Sequence, residues 1–155
     1  DVVFCGTAAG KKSAERGAYY AGAGNQFYAT LNKCGFTPHT LKPDDFRELL
    51  RYNLGLTDLV KHHFGMDKDL KKEYFDTKSF REKILNYRPK FVCFNGKEAA
   101  KVFFGLASTK EINYGLQNST ILNTKLYVAP STSVRAIAYW DERIWAELKI
   151  CVDKS

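Results

Sequence analysis

The stretch GTAAGKKSAERGAYYAGAGNQF, from Gly6 to Phe27, follows directly on the apolar run DVVFC. Small residues crowd it, yet it also carries adjacent tyrosines, Tyr19 and Tyr20, and the amide of Asn25. Two more stretches share this chemistry: the segment around Thr57, and APSTSVRA from Ala129 to Ala136, which adds hydroxyls and Arg135. Small residues let backbone approach a ligand closely, aromatic walls stack on flat rings, and amides bond to ring edges. Together the three suit a pocket for a flat heterocycle. Taken singly, each is more simply an ordinary tight turn. The Gly-rich stretch is no nucleotide fingerprint, lacking both GxGxxG spacing and the GK[ST] ending.

Other chemistries find less support. Cys5, Cys34, Cys93 and Cys151 lie far apart with no CxxC pair, which argues against metal or iron–sulfur ligation and for free thiols in a reducing compartment. His62 and His63 are adjacent and would not share a helix face, so they read as surface residues or, less simply, as phosphate contacts. No cofactor is implied. Lys plus Arg outnumber Asp plus Glu by 24 to 17, a net charge of +7. That excess fits a nucleic acid or other polyanion as partner, and equally a solubilising surface. No apolar run reaches the length of a membrane helix, and no charged segment followed by an apolar one resembles a signal peptide. The expectation is a monomeric intracellular protein, in the cytoplasm or nucleoid of a bacterium or the nucleus of a eukaryote.

Elements must hold these residues together. The 155 residues are enough for one domain, and residues 1–155 are read as one. DVVFCG, residues 1–6, predicts a buried strand, and the Gly-rich loop leads to a helix over Asn25 to Lys33 closed by Cys34-Gly35. Pro43-Asp44-Asp45 opens a helix through about Arg51, with proline and acids where a helix start favours them. NLGLTDLV predicts an extended segment over Leu54 to Val60. The charged stretch 67–87 carries apolar residues that suit one short and one longer amphipathic helix. KFVCFNG predicts a second apolar strand, followed by a helix from Lys97 to Phe104. STILNTKLYVAPST gives two short strands around an Asn123-Thr124 turn, and a closing helix runs from Tyr139 to Val152. Alternating strands and helices predict a three-layer α/β/α sandwich with a mainly parallel central sheet, its site at the carboxyl ends of the strands.

VVFCGTAAG, YYAGAGNQFYATL, LGLTDLV, YRPKFVCFNGKEAAKVFFG, YGLQ and YVAPSTSVRA, in this order and spacing, resemble the mismatch-specific uracil-DNA and thymine-DNA glycosylases of the uracil-DNA glycosylase superfamily. The resemblance runs from Val2 to the closing helix and implies that family's α/β/α fold. It also implies a DNA repair activity in which a uracil or other deaminated or mismatched base is flipped out of DNA and its N-glycosidic bond is hydrolysed. By position, Tyr20 would stack on the flipped base, Gly6 and the Thr7 and Tyr20 backbone would meet its edge, and Asn25 would shape that wall. Thr57 would lie near the attacking water. Ser131, Thr132, Ser133 and Arg135 would clamp DNA phosphates, with Arg135 as the wedge that fills the gap left by the base. Lys11 and Lys12 would meet phosphate.

One departure matters. The family's first motif reads G-x-N-P-G, and its asparagine holds the nucleophilic water, whereas this chain has Gly6-Thr7-Ala8-Ala9-Gly10. Ala129 stands where relatives carry His or Asn before Pro-Ser. A methyl group neither orients water nor donates to a leaving group. Either a slow enzyme results, with water held by Thr57 or by Ser13, Glu15 or Tyr19, or the protein grips a damaged base without cutting it.

Overall fold

The computed structural model describes residues 1–8, 11–60 and 76–155, without the side chains of residues 8, 11 and 12. Its helices are α1 (Lys11–Arg16), α2 (Phe27–Lys33), α3 (Thr77–Tyr87), α4 (Lys97–Phe104) and α5 (Glu142–Asp153). Strands β1 (Val2–Ala8), β2 (Leu54–Val60), β3 (Phe91–Asn95), β4 (Gly115–Ile121) and β5 (Thr124–Ala129) form one sheet in the order β2-β1-β3-β5-β4. Neighbours β1, β2, β3 and β5 pair in parallel, and β4 closes the edge as the antiparallel arm of a hairpin with β5.

The parallel strands read as continuous apolar runs because both faces of the sheet are covered. Alternate residues serve opposite layers. Phe4, Leu54, Phe91, Cys93 and Tyr127 pack with Phe27, Leu31 and Leu49, and with Trp145 and Leu148 of α5. Cys5, Leu59, Val92, Phe94 and Val128 pack against Phe80 and Ile84 of α3 and Phe103 of α4. The result is the expected three-layer α/β/α arrangement.

Several boundaries move for local reasons. The stretch after β1, read as a loop, contains α1, because KKSAER is a run of good helix formers ended by Gly17 at φ +64°. Pro43–Tyr52 is wound as 3-10 turns with a kink at Asp45. The hairpin turns at Leu122-Asn123, one residue earlier than expected, with Leu122 at φ +51°. The closing helix starts at Glu142: the Asp141 carboxylate accepts from the Arg143 N–H at 3.0 Å, and Val134–Tyr139 forms separate 3-10 turns. The shorter helix expected before α3, together with His62 and His63, lies outside the described residues. Among the described residues no helix is long and apolar enough to cross a membrane.

Candidate base-binding site

The register sets out a row of residues across the carboxyl edge of the sheet. Asp58 of β2 pairs with Gly6 of β1, the Cys5–Phe94 pair brings Asn95 one step further along beside Gly6, and Asn95 pairs with Ala129 of β5. By strand alternation, all four belong to the face that carries Phe4, Cys93 and Tyr127. Strands β1, β2 and β3, whose side chains on this face are otherwise apolar, thus end in a carboxylate, a glycine and an amide. Asp58 is only 8% exposed. A Cβ placed on Gly6 would lie 2.9 Å from the Asp58 Oδ1 and 3.5 Å from the Tyr20 hydroxyl, so glycine leaves the gap in which these two polar groups meet.

Tyr20 roofs this gap. Its backbone adopts φ +55°, a conformation that costs a non-glycine residue roughly 1–2 kcal/mol. Neighbouring contacts hold it there. Its ring lies on Phe27 with centroids 4.1 Å apart, the Tyr28 hydroxyl donates to the Tyr19 carbonyl at 2.7 Å, and the Ala21 N–H donates to Ser13 Oγ at 2.8 Å. The Tyr20 hydroxyl is buried and has no hydrogen-bond partner of good geometry among the described residues. Burial above all, then the negative charge of Asp58, push its pKa well above the usual tyrosine value, while the nearby Asn95 amide opposes them weakly. Tyr19, beside it, is raised by the same two effects in the same order. Both phenols are therefore neutral hydroxyls at neutral pH.

Asn95 links the sheet to the loop after β5. Its Nδ2 donates to Thr132 Oγ1 at 3.0 Å, and its Oδ1 accepts from the Thr132 N–H at 3.0 Å. The Thr132 carbonyl in turn accepts from the Gln26 N–H at 3.0 Å, next to the start of α2. Thr132 is fully buried by these contacts. Beyond it, Ser131 Oγ accepts from Ser133 N–H at 3.2 Å, and Ser133 Oγ accepts from Arg135 N–H at 3.3 Å. These turns present Arg135 on the surface with Val134, Ile137 and Tyr139, which are 54%, 55% and 72% exposed. The sequence offered Arg135 alone as the projecting group. The structure adds an apolar ridge beside it.

Tyr20 thus stands over Gly6, Thr132 joins the row through Asn95, Ser131 and Ser133 shape the adjoining loop, and Asn25 lies before α2. The Asn25 Oδ1 accepts the Phe27 N–H at 3.0 Å, which satisfies one of the open donors at the start of α2. Two of the expected threonines have side chains on the far face. Thr57 is buried in the middle of β2, paired with Cys5, so alternation puts it on the opposite face from Asp58 and Tyr20, and Thr7 shares that far face. Glu15 is solvent-exposed on α1. Lys11 and Lys12 begin α1, and Ala8 is the last residue of β1, paired with Val60.

Asp58 and Asn95 were not singled out from sequence. Asp58 had a signal: a charged residue inside an apolar strand is costly unless the fold uses it. The amide of Asn95, at the end of FVCFN, had none beyond its position.

The sequence model of the uracil DNA glycosylase superfamily matches residues 1–150 of this chain. Among solved structures, the chain is similar to a candidate uracil DNA glycosylase from Methanosarcina acetivorans, determined by NMR in solution. The two share 17% identity over 96% of this chain and 88% of that one, with a TM-score of 0.65. That likeness establishes the fold, and the family match establishes the kinship. The chain belongs to the uracil DNA glycosylase superfamily.

Proposed function

We propose that this protein is a DNA glycosylase of the mismatch-specific uracil-DNA and thymine-DNA type, which flips a uracil or related deaminated base out of DNA and hydrolyses its N-glycosidic bond. The observation that carries this reading is the floor made by Gly6, Asp58 and Asn95 under Tyr20, at the carboxyl edge of a superfamily fold. A ring entering from that edge would meet an aromatic face at Tyr20 and polar groups beneath. The exposed Arg135, with Val134 and Ile137 alongside, suits the wedge that replaces a flipped base and offsets part of the few kcal/mol that unstacking costs.

Cleavage of the glycosidic bond develops positive charge on the sugar and negative charge on the departing base. Backbone N–H groups and DNA phosphates stabilise both, and a monofunctional hydrolysis needs no protein nucleophile. With Ala8 in the position of the family's water-holding asparagine, the reaction is expected to be slow, since one lost preorganised donor costs on the order of a hundred- to a thousandfold. Glu15, solvent-exposed on α1, remains a weak candidate for holding water. Lys11 and Lys12, at the start of α1, suit phosphate contacts.

Ala8 and Ala129 also favour a second reading, a module that binds a damaged base without cutting. Incubation with single-stranded and duplex oligonucleotides carrying uracil, a thymine mismatch, hypoxanthine or xanthine, then alkali, separates the two. Strand cleavage supports the enzyme. Salt-sensitive binding that prefers damaged duplex, without product at enzyme excess over hours, supports the binding module. Equal affinity for damaged and undamaged DNA, with no product from any base, would defeat both.

A further inference from the structure

The polar row of Asp58, Gly6 and Asn95 beneath Tyr20 has a definite hydrogen-bonding character. Ionised Asp58 only accepts, and with several lone pairs it retains acceptor capacity beside any other partner. The Tyr20 hydroxyl is a buried donor with no partner of good geometry among the described residues, and the Asn95 amide, which gives one hydrogen to Thr132, lies beside it. Donors and an acceptor therefore stand side by side around Gly6. Asp58 also lies two residues deeper in the sheet than the Ala8–Val60 pair that ends β1 and β2. A base entering from the strand ends would meet Asp58 with its far edge rather than with its sugar bond.

An acceptor beside a donor matches a lactam, a ring N–H next to a carbonyl. What flanks the N–H on its other side then decides the fit. In hypoxanthine that neighbour is a C–H, which tolerates the second carboxylate oxygen. In xanthine and uracil it is a second carbonyl, whose lone pairs would face that oxygen. Resting on the glycosylase reading of the pocket, we infer that Asp58 is a specificity-determining residue that accepts the ring N–H of a base with a single lactam carbonyl, so that hypoxanthine is taken in preference to xanthine and uracil.

Hypoxanthine and xanthine differ at one ring position, so comparing them holds base size constant. Single-turnover excision and equilibrium binding are measured on duplexes carrying hypoxanthine, xanthine or uracil at one site, with the parent protein and Asp58→Asn. The parent should favour hypoxanthine over xanthine by about tenfold or more, the scale set by a mismatched buried polar contact. Asp58→Asn is nearly isosteric and adds an N–H donor able to meet the second carbonyl, so it should shrink or invert that ratio and raise the relative use of uracil. A parent that treats the two purines alike overturns the inference whether or not the variant folds, and so does a ratio unchanged in Asp58→Asn. Product in either of those cases leaves the glycosylase reading standing. No product from any base defeats that reading instead, and the binding ratios then decide the role of Asp58.

Discussion

Asp58 stands directly across the β1–β2 ladder from Gly6, with its carboxylate oxygen 2.9 Å from the point a Gly6 side chain would first occupy. The bare glycine is what allows a carboxylate and a phenol to converge at the carboxyl edge of the sheet. Gly6→Ala would press a methyl group into Asp58 and toward the Tyr20 hydroxyl. Overpacking of this kind costs about 1–3 kcal/mol, read from urea unfolding, and should abolish discrimination among damaged bases. Unchanged stability together with unchanged base preference would show that the gap is not used.

Asn95→Ala removes both hydrogen bonds to Thr132 and leaves buried polar groups of that residue unpaired. The expected cost is roughly 1–3 kcal/mol of stability. Amide hydrogen exchange should quicken around residues 131–135 more than in β1. Uniform loosening across the sheet would mean that Asn95 acts on the whole fold rather than on the loop.

Arg135→Ala should weaken processing of duplex more than of single strands, because only a duplex leaves a gap to fill. Equal losses on both substrates would assign Arg135 to phosphate contact, and the neighbouring Val134 and Ile137 would become the wedge to test.

High pH probes the buried phenols. Tyr20 is raised well above the usual tyrosine value, and Tyr19, Tyr28, Tyr114 and Tyr127 are also raised, each chiefly by burial. The folded state thus holds these protons more tightly than the unfolded chain. Stability from this source is complete below the ordinary tyrosine value of about 10 and is lost as pH rises above it toward the folded values. Phenolate absorbance should show part of the nine tyrosines titrating only with unfolding. All nine titrating together near the ordinary value, with the fold intact, would contradict the burial.

Ala8→Asn restores a water-orienting amide at the end of β1, and excision should accelerate by on the order of ten- to a thousandfold in single turnovers. Thr57→Ala, altered on the opposite face of the sheet, should leave the rate within a few-fold and act on stability alone. A slower Ala8→Asn protein with intact DNA binding would mean that water already occupies that space by another route.

The amino-acid sequence by itself determined the architecture, because its signals are local and repeated. VVFC and FVCF are apolar throughout, as strands covered on both sides must be. Gly35, just past the end of α2, takes a left-handed conformation, as its place after Cys34 suggests. The order of motifs likewise carried the family, and Tyr20, Asn25 and Arg135 were legible as exceptions among small residues.

Tertiary structure alone decided which of those residues meet. Strand register, a relation between segments about fifty residues apart, set Asp58 against Gly6 and turned Thr57 to the far face. A shift of one residue would have exchanged the two, and nothing within LGLTDLV fixes that choice. The Asn95–Thr132 pair and the placement of Tyr20 over Phe27 arise in the same way, from contacts across the sheet edge that no local pattern encodes.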